Sequence, residues 1–269
     1  DDVYSIVCLG DSFTLGYGVS DMDSFCKKLE SSQNNFDTIN MGQAGFGLDQ
    51  MFLWYQRDSK KVGHSAVILS FIDSDLKRMR FSNFFGFEKP YLQLKNNSIS
   101  VQNIPVPNKI DTIKNLINKT FPKSGIDRFL KSLDNNSFRL KKADLKSTDE
   151  VNLIITIFEN LRKKLQLEKK KLIVVRLPDL KADYEMMVKL RKELHEREFN
   201  FLDLKLKIGQ ELSANKQLYY LLPFNSDPRL FRLRGSYGHY NVYGHQVISK
   251  NILEYLISIG VGLPQEVKQ

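Results

Sequence analysis

The chain has 269 residues, 42% of them hydrophobic and 26% charged, with a formal net charge of +9. This is the make-up of one large globular domain, or of one domain carrying a sizeable insertion. No run of eighteen apolar residues occurs, which excludes a membrane-spanning helix in this segment, and no secretory-leader pattern or C-x-x-C metal spacing is present.

In chain order, Val3 to Leu9 reads as a strand, Asp23 to Ser31 as a helix and Phe36 to Met41 as a second strand. Leu48 to Val62 reads as a helix with Met51, Trp54 and Tyr55 on one side, and Ala66 to Phe71 is a third strand, apolar throughout. Unbroken apolar runs of this length belong to strands covered on both faces, as in a parallel sheet. Alternation with helices makes the crossovers right-handed and the fold α/β. Cys8 and Cys26 fall on the first strand and the first helix and are expected as two buried thiols packing as small hydrophobes.

The rhythm breaks after position 84. Tyr91 to Gln102 holds two alternating arms around Asn96-Asn97, a hairpin signal, and "IPVPNK" (104–109) is a Pro-rich connector. Polar helical stretches follow at Asp111 to Asn118 and Ile126 to Leu133. Residues 85–148 are therefore read as an insertion, hairpin plus basic helices, in a core formed by 1–84 and 149–269. Between Glu88 and Thr148, twelve Lys/Arg face five Asp/Glu, so most of the net charge sits there. Such a segment suits an anionic glycan or lipid surface, and its position after the third strand suits a lid. Nucleic acid is not expected, because no basic-aromatic motif stands out, and neither GxGxxG nor GxxxxGK[ST] occurs.

The core resumes with a capping signal at Ser147 to Glu150 and a helix from Val151 to Glu168. Leu172 to Leu177 is a fourth strand, Asp183 to Arg197 a helix, and Phe199 to Leu204 a fifth strand at an edge. An amphipathic helix from Val242 to Ile259 follows.

Ligands in open parallel sheets bind beyond the carboxyl ends of the strands. Four polar stretches fall there or just before the last helix: Gly10-Asp11-Ser12, "NMGQAGFGLDQ" (40–50), "FIDSDLKR" (71–78) and "GSYGHYNVYGH" (235–245). A serine, glycine amides and a late histidine are the material of acyl transfer: nucleophile, oxyanion donors and base.

Gly10-Asp11-Ser12 with "FTLGYGV" after it resembles the first block of the GDSL/SGNH hydrolase family, "NMGQAGFGLDQ" resembles the second, and "HYNVYGHQVIS" (239–249) the last. The resemblance implies a three-layer α/β/α, flavodoxin-like fold of about five parallel strands with an inserted subdomain. It implies a serine esterase or O-acyltransferase without metal or organic cofactor, acting on a small-molecule or carbohydrate ester such as an O-acetyl sugar. Ser12 would be the nucleophile and His239 the base. The backbone N–H groups of Ser12 and Gly45 would face the oxyanion. Asn241 and Gly244 are expected to start the last helix, His245 to be structural, and Asp11 to tie the loop with its side chain turned away from that of Ser12.

Two positions depart from the family pattern. Ser74 stands where the family's third block has an Asn donor, and Ser236 stands where its acid precedes the histidine. Three readings stay open: a Ser-His dyad with Ser236 or a carbonyl orienting His239; a carboxylate from elsewhere, Asp227 being nearest in sequence; or a weak or inactive site that binds glycan or lipid. The chain opens without Met almost inside a strand, so a preceding region is expected, and an extracytoplasmic or membrane-associated location is compatible with it.

Overall fold

A computed structural model describes residues 3–33, 35–84, 87–106, 150–181, 185–221 and 238–262. Its centre is a five-stranded, all-parallel sheet. β1 (Tyr4–Gly10) runs into the short helix α1 (Ser12–Leu15), and α2 (Phe25–Ser32) leads back to β2 (Phe36–Gly42). α3 (Leu48–Asp58) precedes β3 (Ala66–Phe71), and α4 (Asp73–Arg78) follows it directly. Two antiparallel ribbons come next, β4 (Asn83–Phe84) with β5 (Phe87–Glu88) and β6 (Tyr91–Lys95) with β7 (Ser98–Gln102). Then follow α5 (Glu150–Leu167), β8 (Lys171–Arg176), α6 (Met186–Glu196), β9 (Phe201–Asp203), α7 (Leu204–Ala214), α8 (Lys216–Tyr219) and α9 (Val242–Ser258).

The strand order is β2-β1-β3-β8-β9. Side chains alternate between the two faces of a strand, so each apolar run feeds two cores. Val7, Leu9, Val67, Leu69, Leu172 and Val174 join one cluster with α3, α5 and α6. Ile6, Cys8, Ala66, Ile68, Ile173 and Val175 join the other with α2, α7 and α9. This is the three-layer architecture the apolar runs predict.

The hairpin expected around Asn96-Asn97 is β6–β7, with both asparagines at positive φ, as a two-residue hairpin turn demands. It is not free of the core: Leu92 is buried, and Leu94, Ile99 and Val101 pack on the cluster that holds α3 and α5. A buried Lys89–Asp49 ion pair at 2.5 Å fixes its root to α3. The helices expected at Asp111 to Asn118 and Ile126 to Leu133, and most of the basic segment, lie outside the described residues.

One expectation is corrected outright. Cys8 and Cys26 are not free thiols; they form a disulfide that joins β1 to α2, with Cα atoms 6.1 Å apart. β1 and α2 contribute to the same core cluster, which brings the two within bonding range. The helix α7 is also unanticipated. "FLDLKLKI" alternates apolar and polar residues as a strand would, but the Asp203 side chain accepts from Leu206 N–H at 2.8 Å and starts a helix there.

Candidate active site

The carboxyl ends of β1, β2 and β3 are neighbours, and the polar stretches noted in the sequence meet there. The chain turns sharply after β1. Gly10 permits this: a Cβ at that position would lie 2.0 Å from Thr14 Oγ1 and 2.8 Å from the Ser70 carbonyl. Asp11 is the N-cap of α1, its Oδ1 accepting from Phe13 N–H at 2.9 Å. Ser12 is thereby the first residue of the helix, at the mouth of the sheet.

Ser12 Oγ lies 2.7 Å from His239 Nε2. The two residues are 227 positions apart in sequence. Several contacts hold the histidine there. Its carbonyl accepts from Leu221 N–H at 2.7 Å, Gly238 N–H returns a bond to the Leu221 carbonyl at 2.9 Å, and Tyr220 bridges Tyr240. The Tyr240 hydroxyl donates to the Pro178 carbonyl, which ties this loop to the chain after β8. The half-buried imidazole packs on Phe13, centroids 4.6 Å apart, and on Tyr17 at 5.4 Å.

The second polar stretch forms a turn. Gln43 N–H donates to the Gly10 carbonyl at 3.0 Å and Phe46 N–H to the Gln43 carbonyl at 3.2 Å, so the turn is fixed to the end of β1. Gly45 sits in it at φ +80°, a conformation that suits glycine. Among the described residues no acceptor is bonded to the Gly45 N–H.

Asp11 does not turn wholly away from Ser12. Its Oδ2 lies 3.4 Å from Ser12 Oγ and 3.2 Å from Arg78 Nη1. The same guanidinium nitrogen bonds Asp75 and, at 2.9 Å, the Phe46 carbonyl. Arg78 therefore joins the Ser12 turn, the glycine turn and α4. Burial, reinforced by the neighbouring Asp11 charge, raises the Asp75 carboxyl well above the usual range. Burial pulls the Arg78 guanidinium down, but the Asp75 and Asp11 carboxylates outweigh it and keep it firmly protonated.

Ser74 is the second residue of α4 and is buried. Lys181 Nζ donates to its Oγ at 2.9 Å. The carboxylates on either side of Ser74 are pinned: Asp73 receives Arg176 through two bonds of 2.8 Å, and Asp75 Oδ2 accepts from Ile72 N–H at 2.9 Å. Asp227 and Ser236, the alternative orienters of His239, lie outside the described residues.

Asn241 and Gly244 do what the sequence suggests. Asn241 caps α9 by accepting from Gly244 N–H at 2.8 Å. His245 is buried and accepts from Phe25 N–H through Nδ1 at 3.1 Å, remote in function from Ser12. Sequence reasoning missed Arg78 and Lys181. Arg78 carries one usable signal, its spacing of three from Asp75 on a helix; Lys181 carries none, because its partner is 107 positions away.

No family model matches the chain, and no curated protein sequence does either. Solved structures do. A protein from Lactobacillus plantarum, 11% identical, covers 96% of this chain and 98% of its own at a TM-score of 0.53. A member of the lipolytic G-D-S-L family from Veillonella parvula, 12% identical, covers 97% of this chain and 100% of its own at a TM-score of 0.50. Sheet order and chain course thus define an α/β fold of the doubly wound, three-layer kind. Within that class, the fold is the GDSL/SGNH hydrolase-like one.

Proposed function

We propose that the protein is a serine hydrolase of ester bonds, with Ser12 as nucleophile and His239 as base. The observation that carries the reading is the 2.7 Å contact between Ser12 Oγ and His239 Nε2. A serine hydroxyl is a poor nucleophile near neutral pH until an adjacent imidazole takes its proton.

In this reading Ser12 Oγ attacks the ester carbonyl carbon as its proton passes to His239 Nε2. The carbonyl oxygen becomes an oxyanion facing the N–H groups of Ser12 and Gly45, with the Ser74 hydroxyl as a third donor. Collapse breaks the bond to the leaving alcohol, whose oxygen takes the proton back from Nε2. Water or a second alcohol, deprotonated by His239, then attacks the acyl-enzyme and frees Ser12. Hydrolysis and O-acyl transfer differ only in that acceptor. An O-acetyl group on a carbohydrate is the proposed substrate class, with Tyr17 beside the imidazole as a face for a sugar ring. The basic insertion would hold an anionic glycan or lipid. The Cys8–Cys26 bridge favours an oxidising, extracytoplasmic compartment.

The test is covalent labelling with a fluorophosphonate, together with turnover of a short-chain aryl ester. Labelling at Ser12 and its loss in Ser12→Ala support the enzyme. An unlabelled Ser12 in protein that still binds acidic polysaccharide or anionic vesicles supports a non-catalytic binding module instead.

A further inference from the structure

The family resemblance leaves a gap at Ser74, where an Asn side chain would otherwise donate to the oxyanion. We propose that Lys181 closes it as a positioning residue, holding Ser74 as a dedicated donor to the oxyanion. This rests on the ester-hydrolase reading above.

The argument begins with the hydroxyl's capacity. Serine has one proton to give and two lone pairs to receive with. Lys181 Nζ, which can only donate, occupies a lone pair of Ser74 Oγ at 2.9 Å. Among the described residues no acceptor takes the Ser74 proton. The hydroxyl is thus fixed from behind by a cation, with its O–H uncommitted. A hydroxyl that already accepts from a charged group is also polarised and gives a stronger hydrogen bond than an isolated one.

The support around this pair is rigid. Ser74 follows β3, the strand that adjoins β1 and its nucleophile turn. Asp73 and Asp75 on either side are locked by Arg176 and by the Ile72 amide with Arg78. Lys205 links the two loops: its Nζ reaches Asp73 at 3.2 Å, Asp179 at 2.5 Å and the Lys181 carbonyl at 3.0 Å. The backbone that carries Lys181 is therefore tied to the first turn of α4 independently of the Lys181 side chain. Lys181 itself is exposed, so changing its side chain leaves the core alone.

The experiment is a double-mutant cycle read as kcat and KM on an aryl ester and as the rate of fluorophosphonate labelling. Ser74→Ala should lower kcat about 100-fold, and Lys181→Met about tenfold with KM little changed. In the Ser74→Ala background, Lys181→Met should have no further effect, because it acts only through that hydroxyl. In the Ser74→Asn background, which restores a long donor, Lys181→Met should change kcat less than twofold. Thermal melting of each variant confirms that it is folded. Equal losses from Lys181→Met with and without the Ser74 hydroxyl, or an effect on KM alone, would overturn the proposal. A labelled wild type with unaltered Lys181→Met would refute it while leaving the esterase reading intact. A wild type that never labels would refute both.

Discussion

The ring of Phe13 lies against that of His239, centroids 4.6 Å apart and planes 35° from parallel. Phe13 is also the residue after Ser12, and its own N–H is bound by Asp11. The residue after Ser12 is thus the surface on which the His239 ring rests, and a shift of one is felt by the other.

Phe13→Leu should keep an apolar volume but lose the flat support. The expected result is a drop in kcat of up to about 100-fold with a smaller change in stability, since misplacement of reacting groups by about 1 Å costs that much. Steady-state kinetics beside urea denaturation separates the two. A variant with full activity would show that His239 is held by its loop alone.

His245 predicts an acid limit of stability. Burial above all, with Lys28 and His239 nearby and only Asp23 opposing, lowers its pKa to about 3. An unfolded histidine titrates near about 6.5. The depressed folded value means that the stabilisation is complete above the unfolded pKa. It is lost progressively as pH falls from there toward 3, up to about 4–5 kcal/mol in all. Urea midpoints between pH 7 and pH 4 should fall more steeply for the wild type than for His245→Gln. Parallel curves would remove His245 from the account.

The disulfide predicts a stability effect of another kind. Cys8 and Cys26 are 18 positions apart, and closing a loop of that size restricts the unfolded chain by about 3 kcal/mol. The double variant Cys8→Ala, Cys26→Ala should unfold at lower urea by that amount. Unreduced, denatured wild type should titrate no thiol; two thiols would mean that the cysteines pack unbonded.

The parts that were legible in the sequence share a physical basis. β1, β3 and β8 show themselves because a strand covered on both faces must be apolar almost throughout, as "AVILSF" is apart from Ser70. The hairpin at Asn96-Asn97 shows itself because few residues tolerate positive φ at both turn positions. The strand ends pointed to a serine, glycine amides and a late histidine, and the resemblance of the blocks singled out Ser12, Gly45 and His239 among them; the structure brings Ser12 and His239 into contact. What stayed hidden depends on contacts between distant segments. Nothing near Arg78 says that it will reach Asp11 and Phe46, and nothing near Lys181 says that it will meet Ser74. The cysteine pairing was missed for the same reason: a spacing of 18 residues fixes no distance until the fold brings α2 and β1 into one core.

The 227 positions between Ser12 and His239 carry a consequence for how such a protein can diversify. Both residues are held by contacts close to them, Ser12 by the Asp11 cap and His239 by Phe13, Tyr17 and Leu221. Lengthening a connection costs little, about 0.6 kcal/mol for each doubling of a flexible loop. New surface can therefore be spliced into the middle of the chain while the contact between Ser12 and His239 stays in place.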